Sequence, residues 1–94
     1  MDMDKAKKHK SITNELQTIY INKNRDYGDS FSNMFNKLGI ITALTRIGDK
    51  YYRLENIIAT NKTYVKEESV KDTLKDLANY CIMTLIELEK EDKS

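Results

Sequence analysis

A chain of 94 residues, 39% apolar and 33% charged, with three glycines and no proline, argues against an all-β fold, which needs frequent turns. Its length makes one domain over residues 1–94 whose core buries only roughly 60–65% of the unfolded surface, so support from further subunits is expected. A net charge of +1 gives no general pull toward polymeric nucleic acid or a membrane surface.

Charge is mildly uneven. Residues 1–50 carry nine basic and six acidic groups, residues 51–94 seven and nine. Such opposition suits pairing within or between subunits. No apolar run approaches the roughly 18 residues of a membrane span. The opening "MDMDKAKKHK" has no apolar signal region, so a cytoplasmic protein is expected. The single cysteine, Cys81, excludes an intrachain disulfide, and its apolar surroundings predict a small buried hydrophobe.

In chain order, "SITNELQTIYINKN" (11–24) places Ile12, Leu16, Ile19 and Tyr20 at helical spacing, with the stem of Lys23 next on that face. This first amphipathic helix has a possible start upstream, although residues 1–11 also read as a candidate flexible end. His9, alone among lysines, reads as a solvated surface residue. Gly28 ends the helical region, and Ser30 is a candidate cap for the next helix. Phe31, Met34, Phe35 and Leu38 predict that this helix is short and closed by Gly39.

Residues 40–59 form the second long helix. Ile40, Leu44, Ile47, Tyr51, Leu54 and Ile58 make a heptad-like seam. Gly48, inside it, suggests close approach of a backbone or a ligand. Residues 60–68 read as a polar connection. "SVKD" has capping-box form, with Ser69 as N-cap and Asp72 three residues on. A third long helix then runs to about residue 91, with Val70, Leu74, Leu77, Cys81, Leu85 and Leu88 predicted to face inward. Around "CIMTLIEL" it is apolar on more than one face, as expected inside a bundle or at a subunit interface.

Polar stripes lie off these seams. Arg46, Asp49 and Arg53 follow one another on the second long helix, and Asp72, Asp76 and Asn79 on the third, extended by Glu68 if that helix starts earlier. The acids read either as a solvated face or, with Asp49, as ligands of a magnesium ion, which takes hard oxygen donors. The arginines read either as ion-pair partners of Asp72 and Asp76 or as planar forks for phosphate. Asn79 can donate and accept toward a base edge. Tyr80, like Tyr27, Tyr51 and Tyr52, can stack on a base or simply pack. Neither GxGxxG nor GxxxxGK[ST] is present, and no nucleophilic triad can be built.

Three segments, "KNRDYGDSF" (23–31), "LTRIGDKYYRLENI" (44–57) and "VKEESVKDTLKDLANYCIMTLIEL" (65–88), together resemble the nucleotide modification associated domain family, type one, of phage and bacterial proteins. The resemblance implies work with nucleotides, in the host cytoplasm if the chain is phage-encoded. The helical layout is also similar, in part, to MazG-like all-α pyrophosphatases, which bind magnesium through ExxE and ExxD motifs. "DTLKD" supplies Asp72 and Asp76, but Thr73 stands three before Asp76. That departure weakens the enzyme reading.

The expectation is therefore an all-α bundle of three long helices and one short helix, assembled as a homo-oligomer. It is expected to bind a small nucleotide through Arg25, Tyr27, Arg46, Asp49, Lys50, Arg53, Asn79 and Tyr80. The specific expectation is a non-catalytic sponge, with no cofactor, for a cyclic or ADP-ribose-type signal, acting against host defence. The alternatives are a magnesium-dependent pyrophosphatase using Asp49, Asp72 and Asp76, and a helical interaction module without a nucleotide.

Overall fold

The computed structural model describes residues 3–60 and 66–92, and side chains within 3–60 and 69–90. Every described element is a helix: α1 (Met3–Tyr27), α2 (Ser30–Leu38), α3 (Ile41–Thr60) and α4 (Lys66–Asp92). The all-α bundle class is thus as the sequence predicts. No helix among the described residues is long and apolar enough to cross a membrane. The chain divides into two compact units, residues 1–30 and 31–94.

The first unit is built on α1, which reaches back to Met3 and so includes residues 3–11 of the candidate flexible end. Leu16 is buried and Ile19 and Tyr20 are half-buried, while Ile12 and Lys23 are exposed. The predicted stripe is therefore shorter than its periodicity suggests. Gly28 and Asp29 adopt positive φ, +62° and +59°. The Asp29 amide donates to the Asn24 carbonyl at 3.2 Å. This six-to-one bond is the Schellman closure of a helix, and Gly28 occupies the position where a left-handed residue is needed.

The second unit is built around α3 and α4, which pack against each other. Lys50 meets Asp76, and three residues later Arg53 meets Thr73 three residues earlier, so the helices run antiparallel. Phe31, Phe35 and Ala43 form the buried cluster, joined by Ile47, Tyr80, Met83 and Leu88. Gly39 closes α2 as predicted: its φ is +73° and its amide donates to the Phe35 carbonyl at 2.7 Å. Thr42 Oγ1 then donates to the Met34 carbonyl at 3.2 Å, tying the start of α3 to α2.

Both predicted seams need correction. On α3 the inward row is Ala43, Ile47, Lys50, Leu54 and Ile57, with Leu44, Tyr51 and Ile58 exposed. Ile40 precedes α3 and is exposed. At about 100° per residue, the inward face lies roughly 60° round the helix from the apolar heptad. The reason is Lys50: half-buried and paired with Asp76, it belongs to the interface that a hydropathy pattern assigns to apolar residues.

On α4 the displacement is larger. Thr73, Asn79, Thr84 and Glu87 are buried and Tyr80 and Met83 join the core; of the predicted row Leu88 packs against the core and Val70 and Leu77 are half-buried, whereas Leu74, Cys81 and Leu85 are exposed. Cys81 is therefore not a buried hydrophobe. Nor is Ser69 an N-cap, because α4 begins at Lys66. Residues 66–68 of the predicted connection are helical, while 61–65 lie outside the described residues. The Ser69 carbonyl accepts from Thr73 Oγ1 at 2.7 Å inside the helix.

Candidate functional site

The seam correction decides what stands beside the α3–α4 contact. Arg46, Lys50 and Arg53 fall within a sector of roughly 60° on α3 and span about 10 Å along its axis. Arg46 and Arg53 are exposed and Lys50 is half-buried. Lys50 Nζ lies 3.1 Å from Asp76 Oδ2, a partly shielded ion pair across the two helices. Asp49 borders the same sector and is exposed.

Arg53 is held differently. Its Nε donates to Thr73 Oγ1 at 3.3 Å, and that hydroxyl donates its own proton to the Ser69 carbonyl. Thr73 is the largest fully buried side chain described. A guanidinium has five N–H donors in a planar fork. Anchoring at Nε uses one of them and leaves the Nη pair for a two-toothed contact of the kind phosphate accepts. The anchor is a neutral hydroxyl on α4, not the Asp72 or Asp76 carboxylate considered as a partner for the arginines.

Other predicted residues fall elsewhere. Asn79 is buried and has a partner. The Tyr80 ring lies 5.8 Å from that of Phe31 and belongs to the core contact. Asp72 is exposed, Asp76 serves Lys50, and Asp49, Asp72 and Asp76 are not gathered into a three-carboxylate group. Arg25 and Tyr27 sit at the exposed end of α1 in the first unit, where Arg25 Nη2 donates to Asn22 Oδ1 at 2.7 Å.

Gly48 also changes meaning. Two residues after Arg46, it lies about 200° round the helix, on the far side from the cation row. A Cβ built on it would meet nothing within 4 Å, so no neighbouring backbone needs it to be glycine. Sequence reasoning noted Thr73 only as a departure from an acidic motif and did not foresee its part as the anchor of Arg53.

The family model for nucleotide modification associated domain 1 matches residues 23–88. The chain belongs to this family. The match spans the end of α1, the cation row and nearly all of α4, so the segments first grouped by motif are those the family shares. The family's description associates it with nucleotide modification and names neither a pyrophosphatase nor a sponge. No curated protein and no solved structure gives a significant match to the chain.

Proposed function

We propose that this family member binds a small nucleotide along the α3 edge of the α3–α4 pair and holds it without turnover. The observation that carries the reading is Arg53, an exposed guanidinium fixed at Nε by the buried Thr73 hydroxyl. A fixed fork loses less freedom when it grips phosphate than a swinging one, and that preorganisation favours affinity. Arg46 stands two turns away on the same side, and Lys50 lies between them. A row of cations spread over about 10 Å suits a ligand with more than one phosphate. Cyclic dinucleotides and ADP-ribose-type signals meet that description, and sequestration is the role proposed for their binding.

The test is a thermal-shift panel of nucleotides, cyclic dinucleotides and ADP-ribose-type compounds, with and without EDTA. A ligand at about a hundred-fold excess over its Kd adds about 2.7 kcal/mol of stability, roughly 10–20 °C in Tm for a chain of this size. The ligand should come back chemically intact after denaturation. A panel that leaves Tm unmoved removes the nucleotide reading and favours the interaction module. Release of monophosphate and pyrophosphate would replace binding by hydrolysis.

A further inference from the structure

The strongest apolar periodicity in α4 faces away from the core of its own unit. Leu74, Ala78, Cys81 and Leu85 step by four, three and four, a heptad row. Leu74, Cys81 and Leu85 are exposed, Leu85 at 58%, with Ile82 and Ile86 exposed beside them. The core is served instead by Tyr80 and Met83, and by Leu88 beyond the end of the row. No charged residue interrupts residues 77–86. A helix apolar on both sides is one that packs on both sides.

We infer that this outward row is the interface with a second copy of the chain, in which the two α4 helices pack antiparallel about a two-fold axis. The assignment rests on the charges flanking the row. With Leu74 and Cys81 at d, and Ala78 and Leu85 at a, an antiparallel mate sets Leu74 against Leu85 of the second copy and Ala78 against its Cys81. The e positions are then Lys75, Ile82 and Glu89. Across the axis Lys75 meets the second copy's Glu89 twice, once on each side, and Ile82 meets its own equivalent. A parallel mate sets Lys75 against Val70 and Glu89 against Thr84, with no opposite charges paired. The row is thus self-complementary in one orientation, as an isologous dimer requires.

Sedimentation equilibrium of the full chain tests this. The expected mass is at least twice the 11.0 kDa of one chain. Leu85→Glu should lower it to that of the free subunit, with helical circular dichroism unchanged. Lys75→Glu should weaken association about ten-fold, and Lys75→Glu combined with Glu89→Lys should restore it. The charge-reversal pair decides the matter if Leu85→Glu fails to fold. A monomeric wild type, whether the row covers a different protein or a lipid surface, overturns the inference. So does an assembly indifferent to Leu85→Glu, or a double reversal that fails to restore association.

Discussion

Arg53 on α3 and Thr73 on α4 are joined by a 3.3 Å hydrogen bond from guanidinium Nε to a hydroxyl that is itself fixed on the Ser69 carbonyl. Two antiparallel helices are thereby tied at a polar point, and an exposed cation acquires a buried anchor. Thr73→Val keeps the shape of the side chain and removes the acceptor. Stability should fall by about 1 kcal/mol, the typical net worth of such a bond. Nucleotide affinity should fall several-fold, because Arg53 must then be ordered on binding. Denaturant titration and calorimetry separate the two effects.

Arg53→Lys conserves charge and loses the planar fork. For a phosphate gripped at two points, affinity should drop about ten-fold or more while Tm of the free protein changes little. A lysine that binds as tightly as arginine would mean that only the sign of the charge matters.

The glycines should respond in opposite directions. Gly39→Ala forces a side chain into the left-handed region that closes α2, and stability should fall by about 1–2 kcal/mol. Gly48→Ala sits in a helix with open space beside it and should gain about 1 kcal/mol. Because Gly48 faces away from the cation row, ligand affinity of that variant should be unchanged. Thermal unfolding and binding isotherms of both proteins check this.

The Lys50–Asp76 pair is about three-quarters shielded on each side, and its partners stand on different helices. A double-mutant cycle with Lys50→Met and Asp76→Asn should give a coupling of up to about 1 kcal/mol. The coupling should shrink in high salt but not vanish, since the pair is partly removed from solvent.

Much of the fold was legible from local chemistry. The helix stops at Gly28 and Gly39 were visible because glycine alone takes a left-handed turn at little cost. The phases of α3 and α4 were not. On α3 a lysine with a partner counts as an interface residue. On α4 Leu74, Cys81 and Leu85 of the apolar row face away from the intrachain core, so periodicity alone misassigned the inward side. The candidate site was legible as far as Arg46, Asp49, Lys50 and Arg53, whose spacing alone places them on one side of α3. Thr73 was not, because a buried hydroxyl carries no pattern of its own. Tyr80 read equally well as a stacking ring and as a packed one until Phe31 was seen against it.

The proposed function turns on the anchored Arg53 gripping the phosphates of a nucleotide that is bound and not turned over. The decisive measurement is calorimetric titration of the wild type and Arg53→Ala, in EDTA, with the tightest ligand of the thermal-shift panel. The wild type should bind saturably and release the ligand intact, and a normally folded Arg53→Ala should bind at least ten-fold more weakly. Equal affinity in the two proteins, or heat that appears only when magnesium is present and the nucleotide is cleaved, would contradict it.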